Sequence, residues 1–321
     1  MLSEDLTLSV GSRDLPDPIA GEALVAVRFA GLCGSDLHVI RSGEWVTDWP
    51  ATLGHEIFAE VEAIADGQPV ERGDRVVVDS RLPCNSCPDC ELDPNQCPHL
   101  RFIGEARPGG FAEYCLLPIS SLHRVPDALA GEVAVLAEPL AVVVHALSKL
   151  RCEPHAVAVL GHGPIGALLH LELRRRFPVA TFSVAEPSTQ RRAMADELGA
   201  MTTAGAPGLE SGAFDLVIDA AGYPQSLSDA IKLCSPGAQL LLLAISDAVT
   251  PVLPIDLVER RLTVIATNAF VDELPEAIEL LSANPELYRP LVTDVITLQE
   301  LPAVANSQLE SPSAVKVLVQ I

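Results

Sequence analysis

Lysine is nearly absent from this chain. Only Lys149, Lys232 and Lys316 occur in 321 residues, and all 21 basic residues together face 43 acidic ones, for a formal net charge of −22. Such a chain lacks the basic field needed to hold nucleic acid or anionic lipid, because phosphate contacts require Lys and Arg. Its few basic clusters, "RRR" at 174–176 and the pairs Arg191-Arg192 and Arg260-Arg261, read as solvated helix faces. Arginine in place of lysine reflects genome composition more simply than function. Long apolar runs are missing too. The best candidate, "VAVLAEPLAVVVHAL" (133–147), is broken by Glu138, Pro139 and His145, so it reads as a buried element and not a membrane span. The opening "MLSEDLTLSV" has neither the basic start nor the apolar core of a secretory signal, which points to the cytoplasm. What is present suits a globular protein: 49% hydrophobic residues and a length comfortable for two domains.

Eight cysteines without a secretory signal argue against a disulfide framework. Four of them, Cys84, Cys87, Cys90 and Cys97, fall in "CNSCPDCELDPNQC", a polar stretch rich in Pro, Asp and Asn. Thiolates at C-x-x-C spacing converge on one centre, and four of them form a closed tetrahedral zinc site. Such a site holds a loop together and leaves no open position for chemistry.

The chain changes rhythm part-way. From about 22 to 79, short apolar runs alternate with turns, as in "ALVAVRFAG", "IFAEVEAIADG" and "GDRVVVDS", predicting strands of a mostly antiparallel, barrel-like region. After about 130, strands alternate with helices of ten or more residues, which predicts βαβ units and a parallel doubly wound sheet. The tail returns to a helix, "ELPEAIELLSAN", and a strand, "AVKVLVQI".

The second region opens with "VAVLGHGPIG", which sets Gly161, Gly163 and Gly166 between an apolar strand and a helix. The first glycine permits the tight turn, the second lets backbone approach a pyrophosphate, and the third lets helix and strand pack closely. Pro164 and Ile165 lie in the same turn, and the phosphates would rest on the helix N-terminus. Glu186 ends the next strand, where a carboxylate accepts from both adenosine ribose hydroxyls and repels a 2′-phosphate, favouring NAD over NADP. Arg191 and Arg192 lie close enough to the same pocket to soften that preference.

"GLCGSDLH" (31–38) is followed by "LGHEIFAEV" and, far downstream, by "LAEPLAVVVHAL". A thiolate (Cys33), an imidazole (His55) and a carboxylate (Glu56 or Glu138) form the mixed ligand set of a catalytic zinc, which keeps one position open. With these motifs, "GGFAEY" (109–114) and "DAAG", the chain resembles the zinc-dependent medium-chain alcohol dehydrogenases, and among them the sorbitol dehydrogenase-like branch acting on polyols and sugar acids. The resemblance covers nearly the whole chain. It implies an α/β protein with a GroES-like, mostly antiparallel catalytic domain (1–138 and 270–321) and a Rossmann NAD-binding domain (139–269). It also implies that Cys33, His55 and Glu56 hold a catalytic zinc, with Glu138 binding it directly or through water. Asp36 would orient His55, while Ser35 and His38 would relay the proton, although Ser35 also suits a helix N-cap. Physical chemistry agrees: a metal cation acidifies an alcohol, and a nicotinamide takes its hydride. The implied partners are a small-molecule alcohol and further copies of the chain, as a homodimer or homotetramer.

The chain departs from this family at several points. Cys97 comes one residue early, which makes Asp93 a substitute ligand candidate, and His162 stands where a small residue is usual. Val39 follows the relay histidine where an aromatic is common, so Trp45 and Trp49 become candidates for lining the substrate cleft. His99, His123, His145, His155 and His170 read as structural residues. A zinc-free reductase of the same fold would lack Cys33, His55 and Glu56 together. The alternative within the family is an amino-alcohol or small-diol dehydrogenase.

Overall fold

The computed structural model describes residues 1–65, 68–246 and 249–321. They form two compact units, one of Met1–Ala141, Val271–Pro312 and Lys316–Ile321, the other of Val142–Phe270 and Ser313–Val315. The division differs from the expected 138/139 and 269/270 by one to three residues, because the helix Ala137–Ser148 runs through it. It also assigns Ser313–Val315 to the second unit.

The first unit is organised by the strand Glu22–Leu32, whose eleven residues pair with three others. From one edge the sheet runs Val292–Thr297, Lys316–Gln320, Glu22–Leu32, Glu56–Ala63, Arg75–Val78 and Leu122–Arg124, with Tyr114–Pro118 added against Glu22–Leu32. All pairs are antiparallel except the first. Irregularities at Leu24/Val25 and Val27/Phe29 bend the central strand, as bulges do. Ala23, Val25, Val27 and Ala30 on it, with Ile57, Ala59 and Val61 on its neighbour, are buried core residues.

The second unit carries six parallel strands in the order Met201–Thr203, Thr181–Ala185, Ala156–Leu160, Phe214–Asp219, Cys234–Leu242 and Thr263–Ala266. Numbered within the unit that order is 3-2-1-4-5-6, so the switch point lies between Ala156–Leu160 and Phe214–Asp219. Leu216, Val217 and Ile218 are wholly buried, as strands covered on both faces require. The connection between Met201–Thr203 and Phe214–Asp219 holds only a 3₁₀ turn, Ala206–Gly208, in place of a helix. The stretch involved, "TTAGAPGLESGAFD" (202–215), carries three glycines and a proline.

The apolar segment Gly131–Ser148 is 83% buried and forms core helix. The "RRR" run caps the helix Pro164–Arg176, where Arg175 grips the buried Glu172 carboxylate at 2.8–3.1 Å.

Candidate functional site

The helix Gly34–Ser42 begins with Cys33 as its N-cap residue, not Ser35, which sits inside the first turn. Asp36 organises this corner. Its Oδ2 accepts from the Cys33 N–H at 2.9 Å, and its Oδ1 accepts from the Gly54 N–H at 3.1 Å and lies 3.6 Å from His55 Nδ1. One buried carboxylate therefore fixes the backbone of Cys33 and the residue before His55, and orients the imidazole. His55 Nε2 is left facing Ser35 Oγ, 3.5 Å away.

Glu56 follows His55 and opens the strand Glu56–Ala63. Its carboxylate lies where a Cβ on Gly31 would come within 1.8 Å of Oε2, so only glycine leaves room for it. Cys33, His55 and Glu56 each bring one ligand atom within 4.8 Å of the others. A soft thiolate, an imidazole and a carboxylate in that space suit zinc. The field agrees: burial opposes charge on His55, yet Asp36 and Cys33 outweigh it and hold its pKa well above 6.5. A cation is welcome here.

Lys316 was not among the candidate residues. Its Nζ donates to both Glu56 oxygens at 2.6 Å and to the Leu32 carbonyl at 3.4 Å, with both side chains only 1% exposed. Glu56 thus shares its charge between the cluster and an ammonium. The available signal was one of only three lysines set in the apolar strand "AVKVLVQI".

Glu138 is buried outside the three-residue cluster and accepts from Ser80 Oγ at 3.3 Å. Burial pushes its carboxyl up to about 7, His55 and Lys316 pull it down, and Glu56 and Asp79 push it up. It is poised between charge states. His38 Nε2 lies 2.9 Å from Glu44 Oε2, and its ring stacks on Trp45 with centroids 4.4 Å apart. Trp49 packs beside Gly43 at the helix end.

The four lobe cysteines form a second cluster with all Sγ atoms within 4.8 Å. A short helix, Pro88–Leu92, and the 3₁₀ turn Pro94–Gln96 take up the shortened spacing. Cys97 Sγ accepts from the backbone of Cys84 and His99, both at 3.4 Å. Asp93 is not a substitute ligand: its Oδ1 caps that turn by accepting from Asn95 N–H at 2.9 Å. All eight cysteines are free thiols.

In the second unit Gly161 adopts φ 85°, and a Cβ on Gly166 would lie 2.0 Å from the Gly161 carbonyl oxygen. The helix Pro164–Arg176 therefore starts hard against its strand, with Gly163 as N-cap and Pro164 and Ile165 in its first turn. Glu186 accepts from the His162 N–H at 2.7 Å and from the Ser188 N–H at 2.8 Å. Arg191 lies beside Gly163 and anchors to the Ala314 carbonyl at 2.8 Å, whereas Arg192 bonds the backbone carbonyls of Glu186 and Pro187. His162 is wholly buried, with its Nε2 3.2 Å from His170 Nδ1.

Comparison with known proteins decides the family. Residues 19–127 match the alcohol dehydrogenase GroES-like domain, and residues 131–321, over half the chain, match the glucose dehydrogenase C-terminus. The chain belongs to the zinc-dependent medium-chain alcohol dehydrogenase family. This dehydrogenase is 33% identical to D-altritol 5-dehydrogenase of Agrobacterium fabrum over 95% of this chain and 93% of that one. Its fold matches the crystal structure of the Escherichia coli alcohol dehydrogenase rspB complexed with NADH, with a TM-score of 0.86, 30% identity and coverage of 100% and 98%. A zinc-binding dehydrogenase from Sinorhizobium meliloti bound to NADP matches with a TM-score of 0.88, 27% identity and the same coverage. The family uses zinc and NAD(P) as cofactors.

Proposed function

We propose that this dehydrogenase oxidises a secondary alcohol of a polyol or sugar acid, with zinc at the Cys33–His55–Glu56 cluster and NAD as coenzyme. The observation that carries the reading is the convergence of a thiolate, an imidazole and a carboxylate within 4.8 Å. A bound zinc supplies a Lewis acid that lowers an alcohol's pKa, and NAD supplies the hydride acceptor. The protein's own groups do the rest. Asp36 holds His55 in one orientation, as partners of ligating imidazoles do. Ser35, beside His55, is the hydroxyl placed to accept a substrate proton, and His38 with Glu44 stands nearer solvent as its outlet. Glu138, poised near neutrality, approaches the cluster as a ligand or proton carrier.

In the coenzyme domain, Gly161, Gly163 and Gly166 cradle the pyrophosphate. The two Glu186 oxygens, each pinned by one backbone N–H, keep lone pairs for ribose hydroxyls, which supports NAD over NADP. The four-cysteine cluster has the donor set of a structural zinc. The edge strand Thr263–Ala266 with exposed Ile255, Val258 and Val264 supports self-association as a homodimer or homotetramer.

The reading is tested by elemental analysis together with NADH formation on a panel of hexitols, aldonates, threonine and 2,3-butanediol. Two zinc ions per chain are expected, falling to one in Cys33→Ser with loss of turnover. A higher kcat/KM with NADP than with NAD would show that Arg191 or Arg192 governs the pocket.

A further inference from the structure

We propose that His162, bonded to His170, is a positioning residue for Glu186 and thereby sets how strongly the enzyme prefers NAD over NADP. This rests on the reading of Glu186 as the ribose-binding carboxylate and adds the side chains that hold it in place.

The Glu186 carboxylate is oriented by two backbone donors. Its Oε1 takes the Ser188 N–H at 2.8 Å and its Oε2 takes the His162 N–H at 2.7 Å. Ser188 is a local partner, the N-cap of the helix Thr189–Glu197. His162 lies 24 positions away, in the glycine turn. Gly161 before it is at φ 85°, and a peptide between two glycines has little of its own to fix its plane. The His162 side chain supplies the hold. Its imidazole is wholly buried, with Nε2 3.2 Å from Nδ1 of the equally buried His170 on the helix Pro164–Arg176. The two rings meet edge-on with centroids 5.4 Å apart. His170 also packs on Phe182, at 5.0 Å between centroids, in the strand Thr181–Ala185 that leads directly into Glu186. Three rings thus run from the turn through the helix to the strand that carries the carboxylate. Two backbone bonds close the circuit: His162 N–H to Glu186, and Gly161 N–H to the Ala185 carbonyl at 2.9 Å.

Packing alone would not select this pair. His162 Nδ1 and His170 Nε2 are buried and make no hydrogen bond among the described residues. A buried nitrogen without a partner costs stability that an apolar pair of similar volume would keep. What two imidazoles add is a directional bond, in which one nitrogen donates and the other accepts at a fixed separation and tilt. That bond steadies the peptide N–H on which Glu186 Oε2 depends. A carboxylate held still offers its lone pairs to both ribose hydroxyls and its charge to a 2′-phosphate. One free to swing aside bonds the hydroxyls less well and admits the phosphate.

The test is equilibrium binding of NADH and NADPH, read by nicotinamide fluorescence, to the wild type, His162→Ala, His170→Leu and His170→Asn. Each histidine variant is also combined with Glu186→Ala. The ratio of the two Kd values should shrink roughly five- to tenfold in His162→Ala and His170→Leu, as one charge-assisted bond is loosened. His170→Asn, whose amide reaches the place of Nδ1, should keep the ratio. With Glu186→Ala present, the histidine changes should add nothing, because they act through that carboxylate. Unfolding temperature is measured alongside: a purely structural role weakens both coenzymes together and leaves their ratio unmoved. An unchanged ratio in His162→Ala and His170→Leu overturns the proposal, and so does a histidine effect that persists without Glu186. A wild type that binds NADPH as tightly as NADH overturns the reading of Glu186 and this inference with it. A wild-type preference for NADH that the histidine variants leave intact removes only the role of His162.

Discussion

Lys316 and Glu56 illustrate how much rests on single side chains here. Both are desolvated, and the Lys316 ammonium meets the Glu56 carboxylate at 2.6 Å. Removing one leaves the other charge buried and uncompensated, at a cost of about 3–5 kcal/mol. Lys316→Met should therefore lose stability of that order, while adding Glu56→Gln to it should restore much of the loss. Denaturant unfolding of the metal-free proteins checks this, and a double variant no more stable than the single one would refute the pairing. His162 and His170 make the opposite kind of commitment. Burial pulls their pKa values down to about 4 and about 3, so both are neutral in the folded protein. Unfolded imidazoles protonate near 6.5. As pH falls below that value the unfolded chain takes up protons the folded one refuses, and stability drops by up to about 1.4 kcal/mol per pH unit per imidazole. The contribution is whole above pH 6.5 and fades toward 4 and 3. Unfolding free energies at pH 7 and pH 5 should show this loss, with a shallower slope in His170→Gln.

Among elements, the strand–turn–helix at Gly161–Gly166 leaves least freedom. A Cβ on Gly166 would overlap the Gly161 carbonyl, whereas one on Gly163 would meet only the Arg191 guanidinium at 3.4 Å. Gly166→Ala should therefore weaken NADH binding by more than tenfold and lower the unfolding temperature, and Gly163→Ala should do less of both. Fluorescence titration gives the order, and a reversed order would contradict the packing. The cysteine lobe has two very short helical pieces, and its four sulfurs converge where a metal ion would join them. Cys84→Ser should speed proteolysis within 84–97, while Cys33→Ser should leave that segment's resistance unchanged, because only a closed metal site holds structure together. These elements were legible in the sequence because their information is local: C-x-x-C spacing, a glycine pattern between strand and helix, apolar runs of fixed period. Lys316 was not, because its partner lies 260 positions away and spacing says nothing at that range. Asp93 had the chemistry of a ligand, and only backbone geometry revealed it as a cap.

At the scale of the whole molecule, the second unit ends in an unpaired strand edge, Thr263–Ala266, beside the exposed Leu253, Ile255 and Val258. A −22 charge repels copies from one another, so any association must draw on such apolar surface. Val258→Asp with Val264→Lys should yield monomers by light scattering where the wild type is oligomeric, and an unaltered mass would place the interface elsewhere. The buried ion pair has a further consequence for how the molecule is made. Translation delivers Lys316 260 residues after Glu56, which at 5–20 residues per second is a delay on the order of 10 to 50 s. Throughout that interval the strand Glu22–Leu32 lacks its Lys316–Gln320 neighbour and the Glu56 carboxylate lacks its cation. The coenzyme unit, encoded between them, can fold while the first unit waits. The corner around Glu56 thus cannot be completed until the strand that carries Lys316 has been made.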